Sequence, residues 1–267
     1  MSNLQGRVAL VTGATQGLGE GIALRLASCG AQVAINGRSE QKGARVLAAL
    51  LARGARAEFL RADVSERAQA RQLVHRTVEI FGRIDILINN AQTVPPLLES
   101  LEDGVDEHIG TAMASGLYAS LWTSQAAAPR MREQGGGRIV NFASINGVFG
   151  SKYGAAYNAT KESIRALTRT LANEWGPWGI TVNVVLPAGL SPSYEAFYKD
   201  DPNKADAVAK LNPMRRHGRA EEDIGAAVVG LVSDEARFIT GQSLYVDGGL
   251  HLLGLPQLHS IGVRSRS

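Results

Sequence analysis

The chain has 267 residues, 45% of them hydrophobic and 20% charged, enough for one well-buried α/β domain. The formal net charge is only +3, from 28 basic and 25 acidic residues that are scattered along the chain, which argues against a nucleic-acid surface. One cysteine, Cys29, excludes an intrachain disulfide; no stretch resembles a secretory leader or a membrane span, so a soluble cytoplasmic protein is expected.

Apolar strands are predicted at about 7–12, 31–36, 56–62, 84–89, 137–143, 179–186 and 242–246, with amphipathic helical patterns between most of them. Runs such as IDILIN and TVNVVL lack polar alternation, as expected of strands covered on both faces. The grammar is that of a doubly wound parallel α/β sheet of about seven strands in three layers. Residues 1–250 read as one domain and 251–267 as a tail. The long irregular stretch at 187–219 leaves the carboxyl edge of the sheet, where ligands bind, and reads as a substrate lid.

After the first strand, Thr12 to Gly19 (TGATQGLG) forms a glycine-rich turn that runs into a helix. Gly13 permits the tight bend, Gly17 lets backbone approach a pyrophosphate, and Gly19 allows close packing of helix on strand. Thr15, Gln16 and Leu18 belong to the same cradle. Such a turn alone would also suit a simple loop. At the end of the second strand an acid usually receives a ribose in NAD sites. Here the residue is Gly37, followed by Arg38 and Ser39, which suit a 2′-phosphate. The reading favours NADP(H) over NAD(H), with Glu40 as a possible neutralising neighbour of Arg38.

Further along, Ser144 ends an apolar strand, and Tyr157 precedes Lys161 by four residues on a helix predicted from Ala155 to Trp175. Residues four apart share a helix face. A tyrosine titrates at about 10, so it serves as acid and base at neutral pH only when a cation such as Lys161 lowers it. Ser144 would donate to a substrate oxygen. Alone, the Tyr-x-x-x-Lys spacing also suits a solvated pair.

Taken in order, Thr12 to Gly19, Asn89-Asn90-Ala91, Ser144, Tyr157 with Lys161, and Pro187 after NVVL resemble the short-chain dehydrogenase/reductase family over roughly residues 5–250. The resemblance implies a Rossmann fold and hydride transfer between a nicotinamide cofactor and a carbonyl or secondary alcohol, with Ser144, Tyr157 and Lys161 catalytic. It implies that Asp63 and Val64 meet the adenine, that Asn90, Ala91 and Pro187 line the cofactor, and that Lys161 also holds the nicotinamide ribose. Homodimers or homotetramers are implied, packed through the helix bearing Tyr157 and the one before it. Ala159, Ala166 and Ala172 suit such packing, or an internal helix.

Three positions depart from the family. Gly116 stands where many relatives carry an asparagine that holds a water linking the lysine to solvent. NNAG has become NNAQ, placing Gln92 near the cofactor or substrate, or outward in a loop. Pro187-Ala188-Gly189 replaces Pro-Gly.

Candidate pocket residues are Gln92, Asn146, Phe149 and Tyr153, with Tyr194, Phe197 and Tyr198 as an aromatic stripe that serves packing, recognition or both. An apolar or cyclic carbonyl or alcohol is favoured. A 3-oxoacyl thioester reductase or an NAD-dependent secondary-alcohol dehydrogenase remains open, as do a silent cofactor-binding scaffold or sensor and a lyase or epimerase. No histidine pattern suits a metal.

Overall fold

The computed structural model describes residues 3–93, 101, 106–189 and 209–253. Seven parallel strands run in the order β3-β2-β1-β4-β5-β6-β7. They are β1 (Val8–Val11), β2 (Gln32–Gly37), β3 (Ala57–Arg61), β4 (Ile86–Asn89), β5 (Gly137–Phe142), β6 (Ile180–Pro187) and β7 (Ser243–Val246). Each lies within two residues of its predicted bounds. The sheet turns back on itself between β1 and β4, which pair Ala9 with Ile86 and Val11 with Ile88. That reversal opens a crevice at the strands' carboxyl ends.

Alternation in β1 shows why no strand reads as half polar. Ala9 and Val11 pack on one face against α1 (Gly17–Ser28), α2 (Glu40–Ala52) and α8 (Ala226–Val232). Val8 and Leu10 pack on the other against α3 (Arg67–Phe81), α5 (Ala119–Glu133) and α7 (Ala155–Trp175). Both faces are therefore dry, and inward positions are apolar except where a polar side chain finds a buried partner.

Polar side chains between β4, β5 and the flanking helices satisfy one another. Asn89 Nδ2 donates to Asn141 Oδ1 at 2.9 Å, Thr123 donates to Asn89 Oδ1 at 2.7 Å, and Asn141 Nδ2 donates to the Thr168 hydroxyl at 2.9 Å. A buried network of this kind is tolerated because its members are paired.

Two departures from regular helix were not anticipated. Between α4 (Asp106–Met113) and α5 the chain makes a π-turn at Ala114–Tyr118, and a second precedes α8 at Ala220–Gly225. Gly189 and Gly218 meet in a parallel bridge, with Gly218 N–H donating to Ala188 O at 2.9 Å. The two ends of the expected lid are thus joined beside β6. Tyr194, Phe197 and Tyr198 fall outside the described residues, as does the tail beyond 253.

Candidate active site

The glycine turn is locked onto the loop that follows β4. Gly13 has φ +62°, and a Cβ there would lie 2.8 Å from Ala91 Cα. A Cβ on Gly19 would collide with Gly13 O and Asn90 Nδ2. Asn90 Nδ2 donates to Thr12 O and Gly13 O, each at 3.0 Å, while the Thr12 hydroxyl accepts from Asn90 N–H and Ala91 N–H, each at 3.1 Å. Asn90, expected to line the cofactor, thus spends its amide bracing the turn. At the start of α1 the Gln16 side chain makes no capping bond, so the first turn's backbone N–H groups keep their positive partial charge without a side-chain partner. A helix start of this kind suits an anion.

Gly37 is required by its neighbour: a Cβ would run into the Thr15 side chain. An aspartate cannot sit there while Thr15 holds its place. Arg38 is two-thirds exposed and lies 3.6 Å from Asp63. Asp63 stays below its usual range: burial opposes its charge, but hydrogen bonds from Ser65 and the nearby Arg38 outweigh that. Its Oδ1 already accepts from Ser65 N–H and hydroxyl at 3.0 and 2.6 Å, so the adenine contact expected of Asp63 competes with these bonds. Val64 is buried beside it. Glu40 pairs with Arg61 at 2.9 Å and does not neutralise Arg38. The sequence reading missed Lys42, whose ammonium donates to Gln16 Oε1 at 2.5 Å, while its backbone N–H donates to the capping Ser39 hydroxyl at 3.3 Å. The clue was there: a residue three past an N-cap serine lies in the first helical turn, beside the phosphate cradle. Lys42 thus links the Ser39 cap of α2 to Gln16 of the glycine-rich turn, with Arg38 next to Ser39 in the chain.

Across the β1–β4 reversal, Ser144 caps the short helix α6 (Ile145–Phe149), its hydroxyl accepting from Asn146 N–H at 3.2 Å. Tyr157 and Lys161 share a face of α7, and the ammonium sits 5.4 Å from the centre of the Tyr157 ring. Lys161 is 5% exposed, and its Nζ donates to Phe142 O at 3.0 Å. Burial pulls its pKa down to about 7. The Tyr157 phenol moves up, because burial outweighs its hydrogen bond with Ser144. The expected lowering of Tyr157 by Lys161 is therefore not met in the protein alone. The reason is burial, which penalises the phenolate more than the Ser144 hydrogen bond favours it, while the neighbouring ammonium is itself buried and tied to Phe142 O.

Phe149 ends α6, the helix that Ser144 caps, and Tyr153 lies between α6 and α7; each is 41% exposed, and Tyr153 has φ +61°. A non-glycine residue in that region is strained and is found preferentially at working sites. Asn146 is half-buried, and Pro187 ends β6 paired with Val246. Gln92 turns inward. Its Nε2 donates to Ala112 O at 3.0 Å and Thr93 O at 3.1 Å, while its Oε1 is buried without a hydrogen-bond partner. Leaving such an acceptor unsatisfied costs about 1–3 kcal/mol. Among the described residues, no group of three or more histidine, cysteine or acidic side chains could hold a metal, and no helix is long and apolar enough to cross a membrane.

Comparison with known proteins agrees with this geometry. Residues 13–251 match the family described as Enoyl-(Acyl carrier protein) reductase. An uncharacterized oxidoreductase of Thermotoga maritima is 39% identical over 251 residues, covering 92% of this chain and 98% of the relative. A 12alpha-hydroxysteroid dehydrogenase of Clostridium sp. is 35% identical over 267 aligned positions, covering 94% and 98%. The crystal structure of a gluconate 5-dehydrogenase from Burkholderia cenocepacia, in complex with NADP and tartrate, superposes with TM-score 0.85 at 32% identity, covering 93% of this chain and 96% of that one. With a seven-stranded Rossmann sheet, a glycine cradle and a Ser–Tyr–Lys group in one crevice, the chain belongs to the short-chain dehydrogenase/reductase family of oxidoreductases.

Proposed function

We propose that the protein is a carbonyl reductase, reversible as a secondary-alcohol dehydrogenase, that uses NADP(H) in preference to NAD(H). What supports the reading is the contact of Tyr157 with both Lys161 and Ser144, together with Lys42 bonded to Gln16 in the glycine-rich turn and Arg38 exposed at the end of β2. The cradle of Gly13, Thr15, Gln16, Gly17, Leu18 and Gly19 would hold the pyrophosphate, and Arg38, Ser39 and Lys42 the 2′-phosphate. When bound, the nicotinamide supplies or accepts the hydride. Ser144 donates to the carbonyl oxygen, Tyr157 gives or takes the proton, and Lys161 holds positive charge beside it. Bringing a tyrosine down by about three units takes ~4 kcal/mol of preferential phenolate stabilisation. Lys161 in its charged form supplies that stabilisation.

The exposed rings of Phe149 and Tyr153 beside Ser144 favour an apolar, cyclic ketone or alcohol over a small charged one, a class that includes the substrate named for the steroid dehydrogenase relative. Residues 1–250 act as the catalytic domain, and chains assemble as dimers or tetramers.

Calorimetric titration of NADPH and NADH into wild type and Arg38→Glu tests the cofactor. NADPH is expected to bind wild type more tightly, and loss of one charge-assisted contact to reduce that preference by about tenfold or more. A panel of cyclic ketones, 12-oxosteroids and acetoacetyl-coenzyme A, read at the nicotinamide absorbance, tests the substrate class. Turnover should fall about 10²–10⁴-fold in Tyr157→Phe with NADPH affinity retained. Equal binding of both cofactors would reverse the cofactor preference, and Tyr157-independent turnover would remove the mechanism.

A further inference from the structure

We propose that Arg7 and Arg138 form a binding site for a phosphate group, as the free ion or at the end of a phosphate monoester, with Asp234 as the carboxylate that the ligand displaces. The site lies at the amino ends of the strands, opposite the crevice, and does not rest on the reductase reading.

The fold brings together residues that are far apart in the chain. Arg7 precedes β1, Arg83 and Asp85 precede β4, and Arg138 is the second residue of β5. The register sets them side by side: Asp85 N–H donates to Val8 O at 2.9 Å and Arg138 N–H to Asp85 O at 2.8 Å, with Arg138 paired to Ile86. The one-turn helix Asp234–Ala236 completes the group, Asp234 reaching both Arg7 and Arg138.

Three guanidinium groups thus share two carboxylates, and the two acids are unequally placed. Asp85 is buried and its acceptor capacity is spent. Its Oδ1 accepts from Arg83 Nη2 at 2.6 Å and Arg7 Nη1 at 3.5 Å, and its Oδ2 from Val8 N–H at 2.9 Å and Arg83 Nε at 2.8 Å. The Asp234 side chain is 68% exposed, and a single oxygen, Oδ1, serves Arg7 Nη2 at 2.8 Å and Arg138 Nη2 at 3.6 Å. The second distance is too long for a hydrogen bond.

Arg138 is the underused partner. Its Nη1 donates to Gly137 O at 3.0 Å and Gly179 O at 3.3 Å, which leaves the Nε–Nη2 edge unbonded among the described residues, with Nε buried. That edge is the fork that takes two oxygens of a carboxylate or phosphate. Burial and the charge of Arg7 pull the Arg138 pKa below its ordinary value, and Asp234 does not make up the loss. A guanidinium edge without an acceptor, beside a second guanidinium, suits a group that carries more charge than a carboxylate and points oxygens in several directions. A phosphate can give one oxygen to Arg7 and others to the Arg138 fork, where Asp234 presents Oδ1 alone. Asp234 can give way, because an exposed ion pair contributes little to stability.

Inorganic phosphate titrated by calorimetry into the full chain, in a buffer free of other oxyanions, tests the site without cofactor or substrate. Arg138→Lys keeps the charge and loses the fork, so it should bind phosphate about tenfold more weakly than wild type. Asp234→Asn removes the competing carboxylate and should bind it about threefold or more tightly. Melting reads the same event independently: phosphate should raise the melting temperature of Asp234→Asn by more than that of wild type, and that of Arg138→Lys by less. Asp234→Asn is a surface change, so the test stands even where Arg138→Lys does not fold. Glycerol 3-phosphate binding as tightly as phosphate makes a monoester the ligand, and its exclusion makes the free ion the ligand; either result supports the site when the substitutions act as stated. The proposal is overturned if phosphate does not bind, if its binding ignores both substitutions, or if it is lost in Lys42→Glu instead, which would place the ion at the glycine-rich turn.

Discussion

Lys161 concentrates the electrostatic tension of the site, because it is buried, charged in part, and held by one carbonyl. Its folded-state pKa of about 7 lies below the 10.5 of a free lysine. Between those values the unfolded chain binds a proton that the folded protein does not, so stability should rise as pH goes from about 7 toward 10. Above that range Tyr157, raised in the fold, turns the trend downward as the unfolded chain loses its phenolic proton first. Urea unfolding of wild type and Lys161→Met across pH 6–10 checks this: wild type should gain stability with pH, and the variant should be flat. At this scale the sequence was informative about Ser144, Tyr157 and Lys161, since a four-residue spacing on a helix determines a shared face. It could not show that Gln92 reaches Gly116, because that contact depends on the extra residue of a π-turn, and residues there would equally suit an α-helix. The pKa directions also escaped it, being set by burial.

Among the elements, α1 shows how glycine in a helix serves packing. Gly21 lies in its interior, where a Cβ would come within 2.5 Å of the Ala220 backbone carbon and 2.6 Å of Glu221 N in the π-turn before α8. Gly21→Ala should gain about 0.5–1 kcal/mol of helix propensity and lose more to overlap, so thermal melts should show a net loss of about 1–3 kcal/mol. A rise in melting temperature would mean that the turn can retreat. The strands were legible because fully covered β-structure leaves continuous apolar runs, and the Tyr157 helix because its period is regular over Ala155–Trp175. The two π-turns were not, since an inserted helical residue leaves no change of composition. The packing alanines divided: Ala159 and Ala166 face outward on α7, whereas Ala172 is buried in the core.

For the molecule as a whole, exposed apolar groups argue for partner copies. Phe238 is 99% exposed, Leu244 on the edge strand β7 is 38% exposed, and Tyr118 on the α5 side stacks on Trp122 at 5.6 Å while remaining 46% exposed. Light scattering after size exclusion should give a mass two or four times 28.3 kDa, and Ala166→Arg together with Tyr118→Glu should lower it. A wild-type monomer at micromolar concentration would end the proposal of a symmetric assembly.

The strand order also has a consequence for how the chain is made. β4 is central in the finished sheet, flanked by β1 and β5, and its four residues are all buried. During synthesis β1, β2 and β3 are complete when Ile86–Asn89 emerges, so β4 can dock on β1 while its other edge has no neighbour. That bare edge is short, uncharged and apolar but for Asn89, the kind that pairs with a passing strand. It stays uncovered through the whole synthesis of α4 and α5, until Gly137–Phe142 leaves the ribosome. The nascent chain is therefore at its most aggregation-prone when the half of the sheet up to β4 is finished and the half from β5 is not, and slowed translation between those segments should lower soluble yield without altering the mature enzyme.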